Sequence, residues 1–250
     1  MLLEPTFRRV GAVAIAALML GTAPAALMAA TPADTLVIAS AIDDIVSIDP
    51  AEAYEFSGLD LINNVYDGLV EINPATLAME PGLAESWEAA ADGMSYTFKM
   101  KAGLTFASGN PVTADAAAWS LQRAVKLNKT PAFILNQFGW TAENVDSMIT
   151  ADGDKLMIKV DKAYAPTFLY NCLTAGVASI LDAETVKSHD VGGDMGYEWL
   201  KNNSAGTGAY VLKSFKPNEG YVLETRPGYW RGDAKIAKVF MQHVPEAATE

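Results

Sequence analysis

The stretch LTFASGNPVTADAAAWSLQRAV, Leu104 to Val125, constrains the fold more tightly than any other part of the sequence. It reads as the end of a strand, a tight turn and a capped helix in immediate succession. Leu104 to Phe106 continue a strand, and Ser108-Gly109-Asn110-Pro111 carries turn chemistry. Thr113 is an N-cap, and Asp115 falls in the first helical turn, where the helix dipole favours an acid. Ala117, Leu121 and Ala124 or Val125 recur at helical spacing and form the face that must be buried. Ser108, Asn110, Thr113, Asp115 and Ser120 are also residue types that a reactive centre would use. The local reading gives each of them a turn or a cap to serve, and no nucleophile–base pair emerges.

The same alternation runs along the rest of the chain. DTLVIAS (34–40) is a short apolar strand, and DDIVSIDPAEAYEF is a loop closed by Asp49-Pro50. A helix is expected from about Ser57 to Tyr66, with Leu59, Ile62 and Val65 or Tyr66 inward, Ser57 as cap and Gly68 as terminator. LVEINPATLAMEPGLAESWEAA reads as strand, Asn-Pro turn and strand. Met94, Tyr96, Phe98 and Met100 alternate with polar residues after an Asp92-Gly93 turn, the mark of a half-buried strand. VDSMITADGDKLMIKVDK is a hairpin around Asp152-Gly153, with Leu156, Ile158 and Val160 on one face. A second hairpin turns across Pro217-Asn218-Glu219-Gly220, and KIAKVFMQHV is a further strand. PTFLYNCL and DAETVKSHD are short helices, Pro166 suiting a first turn. Strands outnumber helices and hairpins interleave with helices, so the fold class is mixed α/β or α+β.

Residues 1–30 read as a cleaved secretory signal. Arg8 and Arg9 give a basic start, Val10 to Leu20 is a short uncharged apolar run, and small residues close it near Ala29 or Ala30. The run is too short to cross a bilayer comfortably. The competing reading is a membrane anchor; no cysteine at the cleavage point offers a lipid attachment. Removing these residues takes the formal net charge from −12 to −13, because Glu4, Arg8 and Arg9 go with them. So acidic a chain is poorly suited to nucleic acid or an anionic membrane. Cys172 is the one cysteine, so an exported product has no internal disulfide, and its apolar setting predicts a buried, inert thiol. His189 and His243 have no partners at metal-ligand spacing, so no metal site is expected. Gly206 and Gly208 in AGTGAY lack the third glycine and the strand-to-helix setting of a dinucleotide loop. They are expected to let the chain turn into the following strand, and no cofactor is expected.

The spaced motifs resemble a family. Pro81 to Trp87 (PGLAESW), Asp92 to Phe98 (an Asp-Gly turn, then Tyr-x-Phe) and Gly109 to Asp115 (GNPVTAD) occur in the order of the signature of the periplasmic peptide-binding proteins of ABC transporters. That is solute-binding family 5, the dipeptide, oligopeptide and nickel-binding group. A second block, GTGAYVLKSFKPNEGYVLETRPGYW, is similar to the family's Gly-Thr-Gly-Pro-Tyr hairpin, with Ala209 in place of proline. The resemblance implies a periplasmic binding protein-like fold of type II, in which two lobes close on a ligand. It implies that residues 31–250 are the first lobe only, with the second lobe lying beyond the equivalent of Glu250. It further implies a soluble, monomeric periplasmic protein that delivers a peptide or related small ligand to permease subunits in the inner membrane.

On that resemblance the ligand-binding residues are those after the Asp-Pro element and at the helix start: Ala53, Tyr54, Glu55, Phe56 and Ser57. Two aromatics flanking a carboxylate suit an amine-bearing ligand; the alternative is that Tyr54 and Phe56 pack into the core. Two rival functions stand beside this one. A secreted hydrolase would need a converging carboxylate pair, which a sequence cannot show. The other rival is a non-transporting fragment that binds nothing alone.

Overall fold

The computed structural model describes residues 31–245. The expected secretory signal at 1–30 lies outside them. The chain builds two four-stranded sheets and a small ribbon, with helices against them. The first sheet contains β1 (Thr35–Ser40), β8 (Tyr210–Lys216), β9 (Gly220–Thr225) and β10 (Lys238–His243), in the order β1-β10-β9-β8. β1 pairs parallel to β10, and the β8–β9 hairpin turns at Pro217 to Gly220 as its sequence predicts. The ribbon joins β2 (Val70–Ile72) to β3 (Met79–Pro81) across the Asn73-Pro74 turn. The second sheet contains β4 (Ala84–Ala89), β5 (Ser95–Met100), β6 (Ile149–Asp152) and β7 (Lys155–Lys159), antiparallel throughout, in the order β4-β5-β7-β6.

The helices are α1 (Phe56–Val65), α2 (Ala114–Leu127), α3 (Phe133–Asn136), α4 (Val145–Met148), α5 (Pro166–Cys172), α6 (Ala183–Lys187) and α7 (Tyr197–Leu200). α2 follows from its sequence in detail. Thr113 Oγ1 accepts the Ala116 N–H at 3.1 Å, Asp115 lies in the first turn, and Asn128 closes the helix in the left-handed conformation at φ 48°. Ala117, Leu121, Ala124 and Val125 are all buried against the second sheet and its surroundings. Burying a residue such as Leu121 contributes about 1.5–3 kcal/mol. On β5 and β7, Tyr96, Phe98, Leu156 and Ile158 are fully enclosed on one face, as alternation predicts. A second core lies between the first sheet and α1, formed by residues such as Ile48, Leu61, Ile62, Tyr221 and Leu223. Gly206 and Gly208 pack directly on the backbone of Asn64 and Val65, where a β-carbon would overlap main-chain atoms. They bring β8 against the end of α1, a structural task rather than a cofactor-binding one.

Several expectations are corrected. Leu104 to Phe106 do not continue a strand: Thr105 makes only an isolated bridge with Pro111, and a proline has no N–H with which to extend a ladder. Val145 to Met148, assigned to a hairpin from sequence, form a helical turn before β6. Met94 is 41% exposed and stands just before β5 begins at Ser95, although its carbonyl still accepts the Val160 N–H. α1 begins at Phe56, so Ser57 lies inside the helix rather than capping it, and Tyr66 rather than Gly68 is its C-cap. Cys172 is half-buried rather than buried, with Gln137 Nε2 donating to its Sγ at 3.3 Å. Partial burial pushes the thiol's pKa up, so it stays protonated and unreactive.

Candidate functional site

The polar residues of the opening turn are satisfied within the fold. Ser108 Oγ donates to Asp182 Oδ2 at 2.6 Å, and Asn110 Nδ2 donates to both Asp182 oxygens at 3.1 and 3.0 Å. Asp182 also caps α6 by accepting the Thr185 N–H. Burial alone would push the Asp182 carboxyl up, but the hydrogen bonds from Ser108, Thr185 and Asn110 outweigh it and hold the group below the usual range. Ser120 Oγ donates to the Ala116 carbonyl and accepts the Leu181 N–H. The one base that a hydroxyl meets here is Asp182, and its lowered pKa makes it a weak proton acceptor. Among the described residues, no three His, Cys, Asp or Glu side chains group as a metal site would.

The Asp-Pro loop is organised differently. Asp49 and Arg123 are both fully buried and form a two-pronged ion pair: Arg123 Nη1 donates to Oδ1 at 2.9 Å and Nη2 to Oδ2 at 2.6 Å. Arg123 Nε donates to the Met195 carbonyl, which ties the 190–196 segment to the same point. Asp49 Oδ1 also accepts the Ala51 N–H, and the Asp49 carbonyl accepts the Glu52 and Ala53 N–H groups at 2.9 and 2.8 Å. The side-chain nitrogens and oxygens of Asp49 and Arg123 are all paired. A buried pair of this kind owes its stability to both partners being present.

The chain leaves this anchor to present an aromatic tip. Tyr54 is 48% exposed and Phe56, the first residue of α1, is 92% exposed, so neither packs into the core. Phe133, which opens α3, is 56% exposed and meets Tyr54 edge-on, with ring centroids 5.8 Å apart at 86°. Glu55 lies between the two aromatics in sequence; its Oε2 accepts the Tyr54 N–H at 3.1 Å and stays beside the start of α1. Ser57 donates its N–H to Asp44 Oδ2 at 3.3 Å, so an acid from the preceding loop occupies the helix start. Ala53 is fully buried in the second core and offers a ligand no side chain. Beside this loop, Glu52 accepts the Tyr197 hydroxyl at 2.8 Å, and Lys129 Nζ lies 4.2 Å from the centre of the Tyr197 ring. The side-chain hydrogen bond to Tyr197 raises the Lys129 pKa, so its charge is secure.

Of the five sequence-derived residues, Tyr54 meets Phe133, Phe56 and Ser57 line a shallow cleft with Asp60 and Tyr221, Glu55 lies between them in sequence, and Ala53 is buried. Glu52 joins them from the same loop, and Phe133, Lys129 and Tyr197 from distant parts of the chain. The one sequence signal for Phe133 is an aromatic directly after Thr130-Pro131-Ala132, where a helix must restart.

Tyr54 and Phe133 thus form an exposed aromatic contact beside the buried Asp49–Arg123 pair. A model of the bacterial extracellular solute-binding proteins, family 5 Middle, matches residues 78–250. The probable D,D-dipeptide-binding periplasmic protein DdpA of Escherichia coli is 31% identical over 238 residues, 93% of this chain and 44% of that protein. The periplasmic murein peptide-binding protein MppA of Escherichia coli is 32% identical over 220 residues, 81% of this chain and 37% of that protein. Its unliganded open form superposes with a TM-score of 0.70, at 28% identity, over 86% of this chain and 42% of that one. The chain thus spans less than half the length of these relatives, which are binding proteins rather than enzymes. The mixed α/β architecture is that of periplasmic binding proteins of this type. The chain belongs to the bacterial extracellular solute-binding proteins of family 5.

Proposed function

We propose that this chain is the first lobe of an extracytoplasmic solute-binding component of an ABC importer, and that it contributes one wall of a site for peptides or related amine-bearing ligands. The observation that carries this reading is the aromatic tip: Tyr54, Phe56 and Phe133 stay exposed although the Asp49–Arg123 corner behind them is fully enclosed. Exposed aromatics on a fixed scaffold offer large contact area at low entropic cost. Glu55 supplies a carboxylate beside them for a ligand's amino group. The related proteins bind dipeptides and murein peptides by name, which supports the ligand class. The expected setting is the periplasm, after removal of residues 1–30, with delivery to a permease in the inner membrane. Amino-terminal sequencing of the exported protein should begin near residue 31; a product still starting at Met1 would contradict export by a cleaved signal.

One wall leaves much of a ligand in water, whereas small-molecule sites usually bury most of it. An ion pair from Glu55 across open solvent is worth roughly 0–1 kcal/mol. The chain alone should therefore bind a short peptide weakly. Proton NMR of the aromatic side chains tests this with a titration of tetra-alanine into the full chain. Saturable shifts of the Tyr54, Phe56 and Phe133 resonances are expected at about millimolar peptide, equivalent to roughly −4 kcal/mol. Shifts confined to other residues would contradict the reading. The absence of any shift would favour the second reading, that these 250 residues bind nothing by themselves.

A further inference from the structure

A second cleft lies at the opposite end of α1 from the aromatic tip. Asn63 and Tyr66 border it, roughly 10 Å along the helix from Phe56 at 1.5 Å per residue. Its volume is about 560 Å³, and neither Tyr54 nor Phe133 lines it. The polar groups that line it have an uneven balance of unspent capacity. Asp67, 7% exposed, accepts the Tyr229 hydroxyl on Oδ1 at 2.8 Å and the Trp230 indole N–H on Oδ2 at 3.0 Å. Each carboxylate oxygen keeps a further lone pair. Glu71 gives Oε2 to Arg231 at 2.5 Å, while its Oε1 takes no hydrogen bond from the described residues. Ser179 is 6% exposed and lines the cleft, and its hydroxyl makes no hydrogen bond to the described residues.

We propose that this cleft is a binding site for a primary ammonium group, held by Asp67, Glu71 and Ser179. Tyr229 and Trp230 are committed to Asp67, and Arg231 Nη2 to Glu71. Among the described residues that line the cleft, two carboxylates stand against the single cation Arg231, so the cleft keeps a net negative charge and open acceptor sites, which an ammonium with three N–H donors matches. A carboxylate ligand would instead face both acids. Lys101 stacks on Trp230 at 3.9 Å but donates to the Pro81 and Gly82 carbonyls, and it does not line the cleft. Burial raises the Glu71 pKa despite Arg231, and a second cation beside it would relieve that cost. Ser179 is almost wholly enclosed as a residue, and its hydroxyl, with no partner among the described residues, stays open to the cleft. The inference does not rest on the aromatic tip, and its test reads a different residue.

The Trp230 indole N–H reports on Asp67 directly, and its resonance in the ¹⁵N-labelled full chain is identified by its loss in Trp230→Phe. Ethylammonium chloride is titrated at constant ionic strength, with tetramethylammonium chloride and sodium acetate in parallel. A saturable shift with ethylammonium alone is expected, and Ser179→Ala should weaken it about tenfold, the usual effect of losing a hydrogen bond to a charged group. Because the Ser179 hydroxyl holds no bond within the fold, that variant should remain folded. Alanine amide and Nα-acetyl-lysine amide then separate a peptide amino terminus from a lysyl side chain as the source; saturation by either supports the site. Equal shifts from tetramethylammonium or acetate, a linear response, or an unchanged affinity in Ser179→Ala would overturn the proposal.

Discussion

Two irregular segments lead into the two long helices, and they use their polar and aromatic residues in opposite ways. The segment before α2 places Ser108, Asn110 and Thr113 on Asp182 and on the helix start. The segment before α1 spends its polar groups on the Asp49–Arg123 corner and then leaves Tyr54 and Phe56 in solvent. The first segment carries the residue types of chemistry, yet its task is architectural. The second is rich in acids, yet what it presents to solvent is the aromatic pair that we propose as a recognition surface. On the proposed reading, recognition falls to the segment that leaves side chains in solvent.

The comparison breaks most visibly at the anchor. Arg123→Ala leaves Asp49 buried without its partner and should destabilise the chain by about 3–5 kcal/mol in urea unfolding. A change below about 1 kcal/mol would mean that the corner is not what fixes the loop. Asp182→Ala is expected to cost about 1–3 kcal/mol, because Ser108 and Asn110 lose their acceptor. That contribution depends on pH with a definite sign. The folded carboxyl sits below its unfolded value of about 3.9, so its stabilisation is complete above that value and is lost as pH falls through the folded one. The wild type should therefore lose more stability than Asp182→Ala when urea unfolding is compared between neutral and strongly acidic pH. Thr113→Ala removes the cap of α2 and should cost about 1 kcal/mol, with the response to peptide unchanged. Unchanged stability with lost binding would return the turn to a functional role. Phe56→Ala sharpens the contrast from the other side: at 92% exposure it should move stability by no more than about 0.5 kcal/mol while reducing the peptide response.

Local physics made much of this legible in the sequence. Caps and apolar periodicity act over three or four residues, so Thr113, the α2 stripe and the β5 alternation can be read directly. The Asp152-Gly153 and Pro217 to Gly220 hairpins are legible for the same reason. The exposed tip was reached only through the family resemblance, which placed Tyr54, Glu55, Phe56 and Ser57 together. Residues alone left open whether Tyr54 and Phe56 were core. The Asp49–Arg123 pair spans 74 positions, and no local pattern announces it. Phe133 reaches Tyr54 only because α2 carries the chain back across the second sheet. Ser57 was misread as a cap because Asp44, thirteen positions earlier, already takes its N–H.

The most direct measurement of the account compares the wild-type chain with the Tyr54→Ala/Phe133→Ala double variant in one peptide titration, with urea unfolding alongside. The account predicts a wild-type dissociation constant near 1 mM, at least a tenfold loss in the variant, and unfolding midpoints that nearly coincide. A wild-type dissociation constant near 1 μM, roughly −8 kcal/mol, would contradict the single-wall reading, and equal affinity in the double variant would contradict the aromatic tip as that wall.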